Sequence, residues 1–194
     1  MFTGLIADLG EIVAIERSGD GVRLQVRTAL ASQLSEGDSI SVNGVCLTAT
    51  QIEDSVFATD VMNETLRLTS LAETREGAPV NLELAMSPAD RFGGHIVQGH
   101  VDGVGRVVEV LPDGFSRRVK IEAPDAVLRY VVQKGSITVD GISLTVSGLD
   151  DRSFTVSLIP ETLERTNLGS AEPGVTVNLE VDVLAKYVER LISR

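Results

Sequence analysis

The residues Ser136-Ile137-Thr138-Val139-Asp140-Gly141-Ile142-Ser143-Leu144-Thr145 have a near copy earlier in the chain, Ser39-Ile40-Ser41-Val42-Asn43-Gly44-Val45-Cys46-Leu47-Thr48. In both versions apolar and polar residues alternate on either side of Asp-Gly or Asn-Gly. This pattern predicts a β-hairpin with a type I′ turn. Because side chains alternate along a strand, one face of each hairpin is expected to be core, while the other carries Ser143 and Thr145, or Cys46 and Thr48.

The repeat extends well beyond the hairpin. Ser39 and Ser136 lie 97 residues apart, and the same offset relates Glu64–Leu66 to Glu161–Leu163 and Val80–Glu83 to Val177–Glu180. Gly4 recurs as Gly99, at an offset two residues shorter. An internal period of this length indicates tandem structural units. We therefore predict two similar domains.

The amino-acid composition argues against several classes of function. The chain has 194 residues, a net charge of −11 and no tryptophan, which argues against a nucleic-acid partner. Its one cysteine, Cys46, cannot form an internal disulfide. The first residues lack the basic flank and apolar run of a secretion signal, and no segment has the apolar length of a membrane span. We expect a cytoplasmic protein that does not cross a membrane.

Short alternating segments separated by glycine-containing turns predict an all-β fold. The expected architecture is two tandem, homologous, antiparallel β-barrels of the six-stranded type, followed by an amphipathic α-helix. Apolar residues recur at helical spacing after Asp182, with charged residues between them. The predicted domains are 1–90 for the first barrel, 91–183 for the second and 184–194 for an oligomerisation helix, whose stripe needs burial on its own barrel or on another subunit.

Several residues suggest chemistry. A lone cysteine is usually a small buried hydrophobe, but Cys46 is expected on the polar side of its strand. His95 and His100 would need a third ligand to hold a metal, and Asp102 is the nearby candidate, so we expect no metal site. By default Lys134 is a solvated charge.

The two repeats differ at informative positions. Leu5 becomes His100, Cys46 becomes Ser143, and Ala85 becomes Asp182 in the second repeat. These changes add an imidazole, a hydroxyl and a carboxylate where the fold needs no polar group. They suggest two related pockets, one of which has acquired acid/base groups.

The motifs that carry a family resemblance are Met1-Phe2-Thr3-Gly4, Asn43–Thr48, Gly93-Gly94-His95, Gly99–Gly103, Asp140–Thr145 and Ile159–Thr166. In this order, over nearly the whole chain, they resemble the riboflavin synthase family of lumazine-dismutating, two-barrel enzymes. The resemblance implies a cofactor-independent transferase that dismutates two 6,7-dimethyl-8-ribityllumazine molecules. A four-carbon unit is exchanged, giving riboflavin and 5-amino-6-(D-ribitylamino)uracil.

The resemblance also implies a homotrimer joined through its C-terminal helices, with each active site between the first barrel of one subunit and the second barrel of another. Association with lumazine synthase is a question that the sequence leaves open. Implied catalytic residues are His100, Ser143, Thr145 and Asp182, with Cys46 as a nucleophile or polar contact across the interface. Which of them is the base stays undecided at this point.

Implied substrate-binding residues divide into two pockets. For the first barrel they are Gly4, Leu5, Ile6, Cys46, Leu47, Thr48, Asp60, Val61, Met62, Asn63, Glu64 and Thr65. For the second they are Gly99, His100, Val101, Lys134, Ser143, Leu144, Thr145, Leu158, Ile159, Pro160, Glu161, Thr162 and Leu163.

Two other classes of function remain. One is a non-catalytic lumazine- or flavin-binding antenna protein on the same scaffold, which would keep one pocket and lose the polar groups of the other. The second is a structural β-barrel adaptor, which leaves the polar residues unexplained.

Overall fold

The protein is described by a computed structural model covering residues 1–193. The last residue of the predicted terminal helix domain, Arg194, lies outside the described residues. Two closed antiparallel barrels of six strands each follow one another along the chain. The predicted fold class is therefore confirmed.

The first barrel consists of β1 (Asp8–Arg17), β2 (Gly21–Arg27), β3 (Ser39–Val42), β4 (Val45–Glu53), β5 (Val56–Met62) and β6 (Pro79–Leu84). The second consists of β7 (Gly103–Asp113), β8 (Ser116–Glu122), β9 (Ser136–Val139), β10 (Ile142–Leu149), β11 (Ser153–Leu158) and β12 (Thr176–Val181). Around the first barrel the order is β1-β2-β5-β4-β3-β6, and the counterpart strands follow the same order in the second. The sequence repeat is thus a structural repeat.

Short helical segments connect the strands. The α-helices are α1 (Asn63–Leu68), α2 (Asp125–Leu128), α3 (Pro160–Arg165) and α4 (Val183–Ile192), and the 3₁₀ turns are Ala29–Gln33, Ser70–Glu73 and Asn167–Ser170. The helices α1 and α3 begin at the equivalent residues Asn63 and Pro160, and a 3₁₀ turn follows Thr28. Pro112 and Asp113 pair within the β7–β8 ladder, so the turn of this hairpin lies at Gly114 and Phe115.

Both central hairpins have the predicted turns. The residues Asn43, Gly44, Asp140 and Gly141 all have positive φ, as a type I′ turn requires. Below each turn the outgoing strand buries alternate side chains, such as Ile142 and Val146 in β10. Each barrel encloses its own apolar cluster, in which Phe57 or Phe154 is completely buried.

The barrels meet about an approximate twofold axis. Phe2 and its counterpart Val97 form an antiparallel bridge with each other, with N···O distances of 2.8 and 3.2 Å. The two hairpin turns also meet, since a Cβ on Gly44 would lie 2.6 Å from the backbone nitrogen of Gly141. Contacts between equivalent residues are the mark of a twofold arrangement. Here both halves belong to one chain.

The terminal helix α4 is tied to the second barrel by polar contacts. Lys186 donates to Asp102 at 2.5 Å, and Arg129 and Tyr130 donate to Glu189. Its apolar stripe is largely uncovered: Leu184, Tyr187, Val188, Leu191 and Ile192 are 55 to 76% exposed. No helix within residues 1–193 is long and apolar enough to cross a membrane.

Candidate active site

Ser143 lies at the centre of a polar cluster on β10. Its backbone nitrogen donates to the carbonyl of Gly4 at 2.8 Å, and its Oγ lies 2.8 Å from Nδ1 of His95. Half-buried Ser143 therefore contacts both the start of the chain and the segment between the barrels. A Cβ on Gly4 would lie 2.6 Å from the Cβ of Ser143, so this contact leaves no room for a side chain there.

His95 is the buried ionisable residue that contacts Ser143. It is 7% exposed, and its Nε2 has no hydrogen-bond partner within residues 1–193. Burial lowers the pKa of His95 below its ordinary value, because the charged imidazolium is poorly solvated, while the negative charge of Asp182 opposes this shift. A neutral imidazole next to a hydroxyl can accept a proton, so this pair has the elements of a general base.

Asp182 has a structural task in addition to its effect on His95. It is the N-cap residue of α4, and its Oδ1 accepts a hydrogen bond from the backbone nitrogen of Leu184 at 3.0 Å. An N-cap of this kind is typically worth about 1 kcal/mol. Asp182 thus links the start of the terminal helix to the electrostatics of His95.

Cys46 occupies the corresponding position on β4 of the first barrel. Its backbone nitrogen donates to the carbonyl of Gly99 at 2.9 Å, and a Cβ on Gly99 would lie 2.6 Å from its own Cβ. The thiol belongs to a half-buried residue. The pair Cys46 and Gly99 therefore repeats the geometry of Ser143 and Gly4.

These contacts join each segment to the opposite barrel from the one in the expected grouping of the pocket residues. The sequence grouped Gly4, Leu5 and Ile6 with Cys46, and Gly99, His100 and Val101 with Ser143. Instead, Gly4 in residues 2–6, which we name the first crossing segment, contacts Ser143 on β10 of the second barrel. Residues 97–101, the second crossing segment, lie against β4 of the first. Each segment precedes the first strand of its own barrel and crosses to the other.

The apolar contacts show the same arrangement, in which each crossing segment packs against the other barrel. Ile6 packs against the core cluster of the second barrel, together with partly buried Leu144 and Leu163 and buried Leu158. Val101 packs against the cluster of the first barrel. That cluster contains Leu47 and Val61, the counterparts of Leu144 and Leu158, and partly buried Leu66, the counterpart of Leu163, packs against it. Each candidate pocket is therefore bounded by its own barrel and by the crossing segment that reaches it.

Two buried carboxylates hold the crossing segments. Oε1 of Glu83 accepts from the nitrogen and the hydroxyl of Thr3 at 2.6 and 2.7 Å, and Oε2 accepts from the nitrogen of Gly4 at 2.9 Å. Glu180 accepts from the nitrogens of Gln98, Gly99 and His100 at 2.7, 2.9 and 3.2 Å. Burial raises the pKa of both carboxyls, that of Glu180 to about 7, although the N–H donors oppose the shift.

Most of the other predicted residues are exposed. Their acidic members pair locally: Asp60 with Arg23 at 2.8 Å, Glu64 with Arg67, and Glu161 with Arg165 at 2.9 Å. The hydrogen bond from Arg23 holds the pKa of Asp60 below its ordinary value. Those that are exposed are Leu5, Thr48, Asp60, Met62, Asn63, Glu64, His100, Lys134, Thr145, Ile159, Pro160 and Glu161. Val61 is buried, and Thr65 and Thr162 are partly buried.

Sequence reasoning did not select His95, Glu83 or Glu180 as site residues. His95 was considered only as a metal ligand, and its hydrogen bond to Ser143 has no signal in the sequence. The glutamates are identical in the two repeats, so the comparison of differing positions did not identify them. Asp102, the other metal candidate, is engaged by Lys186 and by the nitrogen of Val181.

Comparison with known proteins agrees with this architecture. The lumazine binding domain family matches the chain twice, over residues 3–85 and 98–182. Two structures of LumP, complexed with riboflavin and with 6,7-dimethyl-8-(1′-D-ribityl) lumazine, superpose with TM-scores of 0.88 and 0.85. Each is 24% identical and covers 93% of this chain and 99% of that one. At this identity the likeness supports the fold alone.

The relatives found by sequence have higher identity than the LumP structures. Riboflavin synthase from Mycobacterium bovis is 54% identical, with coverage of 99% of this chain and 98% of the relative. Riboflavin synthase from Actinobacillus pleuropneumoniae is 48% identical, with coverage of 100% and 91%. The predicted resemblance and the prediction of an enzyme are thereby confirmed, and the chain belongs to the riboflavin synthase family, whose two lumazine binding domains are its two barrels.

Proposed function

We propose that this chain catalyses the dismutation of two 6,7-dimethyl-8-ribityllumazine molecules. One molecule donates a four-carbon unit, made of C6, C7 and their two methyl groups, and the other accepts it. The products are riboflavin and 5-amino-6-(D-ribitylamino)uracil. The atoms of two substrates equal those of the products, so the reaction requires no oxidant or cofactor. Two similar but unequal pockets suit a reaction in which one compound plays two roles.

The observation that carries the proposal is the contact between His95 and Ser143. The C7 methyl group of the substrate is acidic because its carbanion delocalises into the pteridine. Neutral His95, with its pKa lowered by burial, receives the methyl proton through the Ser143 hydroxyl. Asp182 then stabilises the resulting imidazolium by its negative charge. In this scheme the second barrel activates one lumazine.

The first barrel holds the other lumazine. Cys46, half-buried beside the second crossing segment, is a nucleophile or a polar contact there, and exposed His100 extends from the same segment. The exposed hydroxyls of Thr48 and Thr145 lie on the solvent-facing side of their strands. Such open half-sites suit a ligand that is enclosed only when a second subunit covers it.

The proposed assembly is therefore a homotrimer with active sites between subunits. Support comes from α4, a ten-residue helix whose apolar stripe stays exposed on the single chain. A helix of this length is marginal in water unless its apolar face is buried. Cytoplasmic location stays a prediction, supported by the single cysteine.

The direct test is to incubate the purified protein with 6,7-dimethyl-8-ribityllumazine and to follow riboflavin absorbance. Riboflavin formation supports the enzyme. Binding of lumazine without turnover would instead establish the antenna alternative, and an absence of both would leave a structural barrel.

Variants test the proposed base. His95→Asn keeps a polar group near Ser143 but cannot accept the proton, so turnover should fall about a hundredfold to ten-thousandfold. Asp182→Asn retains helix capping but removes the charge that raises the pKa of His95. The acidic limb of its pH–rate profile should therefore move to lower pH as turnover falls. Ser116→Ala, at the β7–β8 hairpin, serves as the control. Full turnover by His95→Asn would exclude the proposed base.

A further inference from the structure

Glu180 and Glu83 are two buried acidic side chains that the proposed reaction does not use. Each lies on the last strand of its barrel, and each directs both carboxylate oxygens toward backbone N–H groups of a crossing segment. They are 2% and 6% exposed. A buried carboxylate is costly unless its oxygens are satisfied, so an apolar residue would be the simpler choice for folding alone.

The hydrogen bonds that Glu180 accepts indicate its role. The three successive nitrogens of Gln98, Gly99 and His100 converge on its two oxygens, which fixes three peptide units in one orientation. The carbonyl of Gly99 then points at the backbone nitrogen of Cys46, 2.9 Å away. The chain of contacts runs from Glu180 in the second barrel to Cys46 in the first.

We propose that Glu180 is a positioning residue for the first-barrel pocket, which sets the second crossing segment so that Gly99 closes over Cys46 and His100 and Val101 line the ligand. By the same geometry Glu83 sets the first crossing segment over Ser143. Each barrel thus holds in place one wall of the other barrel's pocket. The inference deepens the proposed function and rests on it for the identity of the ligand.

The test uses the pair Glu180→Gln and Glu83→Gln in the full-length protein. Glutamine keeps the shape of the side chain but replaces one acceptor oxygen with an NH₂ group. In Glu180→Gln this group faces the nitrogen of Gln98, or those of Gly99 and His100, so at least one charge-assisted hydrogen bond is lost. Each variant loosens one crossing segment and serves as the matched control for the other.

Cys46 gives a readout that does not depend on turnover. It is the one cysteine of the chain, so the rate of its alkylation by iodoacetamide reports only on the first-barrel pocket. Glu180→Gln should alkylate about tenfold faster than the parent protein, since losing one charge-assisted hydrogen bond changes an opening equilibrium by about that factor. Glu83→Gln should alkylate at the parent rate. Riboflavin binding should weaken in Glu180→Gln as well.

An unchanged alkylation rate in Glu180→Gln, or an equal increase in both variants, would overturn the assignment. If Glu180→Gln does not fold, Gly99→Ala displaces the same segment, because its Cβ would lie 2.6 Å from that of Cys46, and Gly4→Ala is then the control. Gly99→Ala with the parent alkylation rate likewise overturns it. The proposed function fails separately, when the parent protein makes no riboflavin.

Discussion

The contact between the two hairpin turns predicts a large cost for one methyl group. In Gly141→Ala the new Cβ would lie 2.8 Å from the backbone nitrogen of Gly44 and 3.0 Å from its Cα. Real Cβ atoms do not approach backbone atoms so closely, so the turns must separate. Since this contact lies on the twofold axis, the separation would disturb the pairing of the barrels.

Two terms make up the expected loss of unfolding free energy. Gly141 has a φ of +79°, and a left-handed backbone costs a residue with a Cβ about 1–2 kcal/mol. Overpacking of a closely packed contact costs about a further 1–3 kcal/mol. The total is about 2–5 kcal/mol, reduced by about 0.4–1 kcal/mol because alanine restricts the unfolded chain.

Gly77→Ala isolates the second term. Gly77 has nearly the same φ, +80°, and a Cβ there would meet no atom within 4 Å. Urea unfolding followed by circular dichroism should therefore show Gly141→Ala to be less stable than Gly77→Ala by about 1–3 kcal/mol. Equal losses in the two variants would refute the reasoning, because backbone strain alone would then explain both.

Two other predictions concern assembly and pH. Removal of residues 184–194 should convert the proposed trimer to a monomer with severely reduced turnover, which sedimentation and the riboflavin assay measure. An active trimer formed by the truncated protein would show that α4 is not needed for assembly. Burial raises the pKa of Asp140 to about 7 from 3.8. The folded state then keeps a proton that the unfolded state loses, so the unfolding free energy falls as pH rises through this window. Urea titrations should show a shallower fall in Asp140→Asn, and identical slopes would contradict the shifted pKa.

Much of the fold could be predicted because its signals are local. Alternation and the Asn43-Gly44 and Asp140-Gly141 turns define both hairpins, and the internal repeat transfers each inference from one barrel to the other. The helix α2 was missed, since its four residues carry too short a pattern for helical periodicity.

The pocket grouping could not be predicted in the same way. The crossing segments contain little regular structure, so no periodicity tells which barrel they contact, and the sequence places each next to its own barrel. His95 was missed for another reason: it lies in the segment between the two regions that match the domain family, and the comparison of repeats has nothing to set against it. Its role depends on a contact with Ser143, 48 residues away.

The exchange of segments gives a physical reason for two repeats in one chain. Residues on the approximate axis meet their own counterparts, Phe2 with Val97 and Gly44 with Gly141, as in a twofold homodimer of a single repeat. A homodimer would have two identical pockets. In one chain the two halves can change independently, so one position can carry the Cys46 thiol while its counterpart carries a hydroxyl bonded to an imidazole.

The sequence differences between the two repeats depend on whether a residue joins the barrels or belongs to a pocket. Several residues that join the barrels are the same in both halves: Glu83 and Glu180, Asn81 and Asn178, Gly44 and Gly141. The asparagines make equivalent contacts, each donating through Nδ2 to the carbonyl of the opposite turn, at 3.0 and 2.8 Å. The residues with proposed catalytic roles differ more often: Leu5 corresponds to His100, Cys46 to Ser143 and Ala85 to Asp182. Pairing of the two barrels favours identical residues in both repeats. Donor and acceptor roles for one substrate require two different pockets. Differences between the repeats are therefore expected at residues that contact the ligand rather than the other barrel.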